Sequence, residues 1–146
     1  MSELAFEGRK VLVTGASRGI GRAIAVAFAE AGANVALVFR NDQQAAQDAL
    51  AALSGAGHCL IQADLSVAAD AERAVADSID RLGGLDIVVN NAGIFLDHPV
   101  AEIDFERWQH CWRATIETNL TGPANVCYAA ARHMIDRGAG KIVNVS

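Results

Sequence analysis

This 146-residue chain has no excess of basic residues, no apolar run of membrane-spanning length, no paired cysteines and no Pro/Gly-rich linker. Its 12 Lys and Arg are outnumbered by 17 Asp and Glu, the net charge is −5, and the basic residues are scattered. That distribution lacks the electrostatic footprint of a nucleic-acid binder or a polybasic membrane patch. The stretch from Met1 to Glu7 has no basic region leading into an apolar segment, so no membrane association and a cytoplasmic location are expected. Cys59, Cys111 and Cys127 are odd in number, widely spaced and outside any CxxC or Cys/His cluster, which argues against disulfides and zinc. His58, His98, His110 and His133 are equally dispersed, without metal-ligand spacing, and no chemistry attaches to them. The remaining partners are small molecules and protein subunits.

With 52% apolar and 20% charged residues, the chain is long enough to bury a core and is expected to form one globular unit over residues 1–146. Short continuous apolar runs alternate with stretches of helical period, the pattern of a parallel sheet covered by helices. Five strands are expected, at Lys10 to Thr14, Asn34 to Phe39, Cys59 to Ala63, Ile87 to Asn90 and Lys141 to Val145. The first intervening helix has Ile20, Ile24, Ala27, Phe28 and Ala31 on its apolar face and Gly32 as its cap. The second carries Ala46, Ala49, Leu50 and Leu53, and the third Ala71, Val75, Ile79 and Leu82 before Gly83-Gly84. A fourth, the longest, aligns Trp108, Trp112, Ile116, Leu120, Cys127, Ala131 and Met134. Right-handed crossovers then predict an α/β fold with an open, doubly wound, Rossmann-like sheet.

Directly after the first strand, Thr14-Gly15-Ala16-Ser17-Arg18-Gly19-Ile20-Gly21 opens the first helix. Gly15 can make the tight turn, Gly19 can let backbone amides approach a pyrophosphate at the positive helix end, and Gly21 can let helix pack on strand. An acidic residue at the end of the second strand would bind the adenosine ribose hydroxyls of NAD, but this chain has Phe39-Arg40 there. Arg40, with Arg18 from the glycine turn, can instead pair with a 2′-phosphate, so NADP(H) is preferred over NAD(H).

These residues, with Asp64-Leu65 after the third strand and Asn90-Asn91-Ala92-Gly93 after the fourth, resemble the short-chain dehydrogenase/reductase family from Lys10 to Ser146. The glycine pattern TGxxxGxG and the order of the three elements carry the resemblance, and the general similarity is to the subgroup that includes 3-oxoacyl-carrier-protein reductases. The resemblance implies that Asp64 accepts from the adenine amino group, that Leu65 packs near the ring, and that Asn91, Ala92 and Gly93 pass beneath the cofactor ribose. Asp64 can alternatively cap the following helix. Asn119-Leu120-Thr121-Gly122 resembles the family's helical asparagine motif, in which the backbone carbonyl holds a proton-relaying water. Pro123 supplies a mechanism, because it lacks an N–H and crowds the carbonyl at i−4, which belongs to Asn119. Trp108, one turn before the family-like Trp112, is an addition whose expected place is a core or a subunit interface.

The family's reaction is reversible hydride transfer between the nicotinamide and a carbonyl or alcohol carbon, with serine, tyrosine and lysine as the chemical groups. Asn144-Val145-Ser146 fills only the first three places of the family's N-x-[SG]-S pattern, so Ser146 neighbours the expected catalytic serine. Tyr128 is the only tyrosine, and four residues on stands Arg132 rather than lysine. The catalytic serine, tyrosine and lysine are therefore expected beyond Ser146, and residues 1–146 alone are expected to be inactive. Two readings remain: part of a longer NADP(H)-dependent oxidoreductase, with the carboxyl-terminal strands and helices lying further on, or a complete nucleotide-binding or oligomer-forming module without catalysis. A homodimer or homotetramer through the long fourth helix is expected in either case.

Overall fold

The computed structural model describes residues 4–146. Its strands are β1 (Lys10–Thr14), β2 (Asn34–Phe39), β3 (Cys59–Gln62), β4 (Ile87–Asn90) and β5 (Lys141–Asn144), each within one residue of the sequence expectation. All pair in parallel, in the order β3-β2-β1-β4-β5. The order reverses between β1 and β4, and in such sheets the crevice beyond the carboxyl ends of these two strands is the natural ligand site. The fold is Rossmann-like, as the alternation of apolar runs and helical periods predicted.

Helices α1 (Gly19–Glu30) and α2 (Gln43–Ala51) cover one face, while α3 (Ala68–Leu82) and α5 (Gly122–Arg137) cover the other. Successive strand residues point to opposite faces, so Val11, Val13, Val35 and Leu37 pack with Ala25, Ala29 and Ala49. Leu12, Ala36, Val38 and Val88 pack instead with Ala71, Val75, Val126 and Ala130. Both faces of the central strands are buried, which is why these strands read as unbroken apolar runs rather than alternations. At the edge, Lys141, Val143 and Asn144 of β5 are exposed, as expected for the less covered side of the sheet.

Two helical faces differ from expectation. In α1 the buried residues are Gly21, Ala25 and Ala29; Ile24 and Phe28 are half-buried beside them, and Ile20 is 65% exposed. The helix lies so close on the sheet that small residues occupy its contact line, with larger ones flanking it. Its end at Gly32 is as predicted, as is the end of α3 at Gly83-Gly84. The apolar faces predicted for α2 and α3 also hold, with Ala46, Ala49 and Leu53, and Ala71, Val75 and Leu82, all buried.

The expected long fourth helix is divided into α4 (Phe105–Ile116), a π-helical turn (Glu117–Thr121) and α5. The Gly122 N–H donates to the Glu117 carbonyl across five residues. This wider turn carries one extra residue and rotates the stripe, so the buried positions become Cys111, Thr118, Gly122, Val126, Ala130 and Met134. Trp112, Ile116 and Leu120 face outward instead. Trp108 and Trp112 contact each other with ring centroids 5.7 Å apart, outside any core.

At the end of the sheet remote from the crevice, Asp86 joins three strands. Its carboxylate accepts from the Lys10 amide at 2.8 Å and from Arg137 at 3.2 Å, and its backbone pairs with both Lys10 and Lys141. Removing this carboxylate strands the Lys10 N–H. Asp86→Ala should lower unfolding stability by about 2 kcal/mol, measured as a lower denaturant midpoint at constant slope.

Candidate cofactor-binding site

The crevice holds a groove of about 570 Å³. Gly15, Ser17, Arg18 and Ile20 line one side, Arg40, Asn41, Asp42, Asp64 and Leu65 another, and Asn91, Ala92, Gly93, Ile94 and Thr118 the rest. Ten of the sequence-predicted residues therefore meet in one cavity. Gly19 and Gly21 belong to the same turn, and Asn119 reaches the groove through Ile94, as described below.

Two of the three glycines stand at close backbone approaches. Gly15 has φ +62°, and a Cβ there would lie 2.8 Å from the Cα of Ala92. A Cβ on Gly21 would collide with the Gly15 carbonyl and the Asn91 side chain. Gly19, at φ +55°, has open space where a Cβ would stand. Helix α1 has no side-chain cap and no acidic residue in its first turn. Among the described residues its first amides have no acceptor, and at the positive end of the helix they suit an anionic group.

Beneath the turn, Thr14 is the residue that the motif contained and sequence reasoning left without a task. Its buried Oγ1 accepts from the Asn91 amide at 3.0 Å and the Ala92 amide at 2.9 Å, using both lone pairs. The Asn91 Nδ2 in turn donates to the Thr14 and Gly15 carbonyls. One residue earlier, buried Asn90 donates to Asn144 Oδ1 at 3.0 Å, tying β4 to β5.

On the opposite wall, Asp64 does not cap α3, whose N-cap is Val67. Its Oδ1 accepts from the Ser66 amide and hydroxyl, and its Oδ2 lies 3.2 Å from Arg40. Partial burial pushes the Asp64 carboxyl pKa up, but the Ser66 bonds and the Arg40 charge outweigh it and hold the group below the ordinary value. The carboxylate is thus ionised, with an acceptor position still free on Oδ2. Leu65 is buried, and its carbonyl runs against Gly122, where a Cβ would stand only 2.5 Å away.

The Asn119 side chain has a task that the sequence did not suggest. Pro123 sits in the first turn of α5, directly after the π-helical turn, and has no N–H to give the Asn119 carbonyl. The Asn119 side chain, however, is committed elsewhere. Its Oδ1 accepts from the Ile94 amide and its Nδ2 donates to the Ile94 carbonyl, both at 2.8 Å. The pair of bonds fastens the segment after Gly93 to the helix break. No sequence pattern signals it, because the partner is a backbone brought near by the fold.

The other polar candidates lie apart from the groove. Tyr128 is exposed on α5 and does not line it. His58 is structural: its Nδ1 accepts from the Val35 amide and its Nε2 donates to the Ser54 carbonyl. Among the described residues no group of three His, Cys, Asp or Glu is placed to hold a metal, and no helix is long and apolar enough to cross a membrane.

A glycine turn at the switch point of a parallel sheet, with acceptor-free helix amides facing the crevice, defines a nucleotide-binding fold of the Rossmann type. The sequence profile of short chain dehydrogenases matches residues 9–146, and the chain belongs to that family. It is 40% identical over 135 residues to glucose 1-dehydrogenase of Gluconobacter oxydans, covering 91% of this chain and 49% of that protein. It is 34% identical to a 3-oxoacyl-acyl-carrier-protein reductase of Staphylococcus aureus, covering 94% and 55%. A short chain dehydrogenase from Burkholderia cenocepacia, solved in complex with NADP, superposes with a TM-score of 0.83 at 35% identity, covering 98% of this chain and 56% of that one. The chain spans about half the length of the curated relatives it matches.

The Thr14 contact gives a direct test. Thr14→Val keeps the shape but leaves two amides without an acceptor, and should destabilise the fold by about 2 kcal/mol. Amide exchange at Asn91 and Ala92 should accelerate in this variant, while Thr14→Ser should restore protection at both.

Proposed function

We propose that this chain is the dinucleotide-binding part of an NADP(H)-dependent oxidoreductase that moves a hydride between the nicotinamide and a carbonyl or alcohol carbon. The observation that carries the reading is the groove itself: acceptor-free amides at the start of α1, with Arg18 and Arg40 at one end. The residues present fit such a cofactor. Gly15, Gly19 and Gly21 form a cradle that side chains would fill, and the amides of the α1 terminus suit a pyrophosphate. Arg18 and Arg40 would hold the adenosine 2′-phosphate, Asp64 would accept from the adenine amino group through its free Oδ2 position, and Leu65 would border the ring. Asn91, Ala92 and Gly93 would run beneath the ribose. The cofactor, when bound, supplies the hydride chemistry.

The chain's own residues position rather than react. Asn119, through its bonds to Ile94, holds the segment on which the nicotinamide end would rest. Its carbonyl, denied a proton by Pro123, is available to a water that passes protons onward. The proton donor for the substrate would come from a serine, tyrosine and lysine outside residues 1–146. Relatives named for a sugar and for an acyl-carrier-protein substrate share this similarity, so the substrate class is left at carbonyl or alcohol compounds. The exposed side chains Trp112, Ile116, Leu120 and Tyr128 along α4, the π-helical turn and α5 support self-association through this face.

Two measurements test the reading. In the full-length protein, Arg40→Asp should move the ratio of kcat/KM for NADP(H) over NAD(H) toward NAD(H) by at least about tenfold. An unmoved ratio removes Arg40 from the site. Residues 1–146 purified alone should quench or shift NADPH fluorescence on titration yet show no ketone-dependent NADPH oxidation, because binding without a positioned proton donor leaves the transition state unstabilised. Turnover by this segment would place the catalytic group inside it.

A further inference from the structure

The adenosine end of the groove carries a charge that the missing acid after β2 concealed. Asp42 lies just past Arg40 and lines the same groove as both arginines. Its Oδ1 caps α2 by accepting from the Ala45 amide at 2.9 Å, and its Oδ2 stands 3.9 Å from Arg18. Arg40 is matched in turn by Asp64. Two arginines thus face two carboxylates, so the formal charges at the rim match.

We infer that Asp42 is a specificity-determining residue: a counter-charge that limits how strongly this groove prefers a cofactor bearing a 2′-phosphate. The inference rests on the cofactor reading above. A 2′-phosphate is close to dianionic at neutral pH, so it gains from Arg18 only to the extent that Arg18 is not already balanced, and it is repelled by Asp42 directly. An adenosine with a free 2′-hydroxyl has no charge at that position and feels both effects far less. Asp64 cannot be separated in this way, because Ser66 and the backbone after β3 depend on its carboxylate. Asp42 can, since a helix cap needs an oxygen but not a charge, and Asn or Ser caps as well as Asp.

The experiment is calorimetric titration of the full-length protein with NADP+ and NAD+ at low and high salt, for wild type, Asp42→Asn and Asp42→Ser. Both variants should raise the preference for NADP+ about fivefold at low salt, through tighter NADP+ binding, with NAD+ as the reference. The gain should fade towards 1 M salt, where the screening length is about 3 Å. Because both ligands are measured on the same sample, a partly folded variant leaves the ratio intact. An unchanged ratio would make Asp42 a cap and nothing more, and a falling ratio would make it a positioner of Arg18; either overturns the inference while leaving the cofactor reading in place. Wild type that binds neither nucleotide would overturn the cofactor reading and this inference with it.

Discussion

One hydroxyl holds the site together. Thr14 ends β1, and its Oγ1 takes the amides of Asn91 and Ala92 as they leave β4. That double acceptance brings the loops after two adjacent strands into contact, and the contact is possible only because Gly15 and Gly21 place no side chain between them. A single Cβ at either glycine would force the two loops apart. The groove, the exposed start of α1 and the path of Asn91 to Ile94 all take their positions from this crossing. The Thr14 hydroxyl is buried, so breaking its hydrogen bonds leaves a desolvated oxygen without a donor.

A second crossing closes the other side. Gly122 lies on the Leu65 carbonyl, and the π-helical turn just before it sets Asn119 against Ile94. The helix break thus touches the segment after β3 through backbone and the segment after β4 through a side-chain amide. The extra residue of the π-helical turn changes the face that α4 presents relative to α5, and Pro123 stands directly after it, in the first turn of α5.

The parts that the sequence made legible are those whose cause is local. Buried parallel strands must be apolar on both faces, so Lys10–Thr14, Asn34–Phe39 and Ile87–Asn90 could be bounded to the residue. The glycine turn was equally readable, because positive φ and close approach leave few residue types to choose from. What escaped depends on distance in space. The face of α1 was misread because Ala25 and Ala29 compete poorly with Ile20 and Ile24 on any hydrophobic count, although closeness to the sheet favours the smaller pair. The π-helical turn hid because Thr118 and Gly122 do not look like core. Asp42 belongs to no motif in the sequence, and only the fold sets it across from Arg18.

The two crossings also divide the groove by how freely it can change over evolutionary time. Its floor is peptide against peptide, at Gly15 on Ala92 and Gly122 on Leu65, where any added atom collides with backbone that cannot move aside. Its rim is Arg18, Arg40 and Asp42, exposed side chains outside the packed core, of which Asp42 also caps α2 through an oxygen that Asn or Ser can supply. On the cofactor reading proposed above, nucleotide preference would therefore be a shallow trait, changed by single substitutions at the rim and laid over a framework that tolerates almost none.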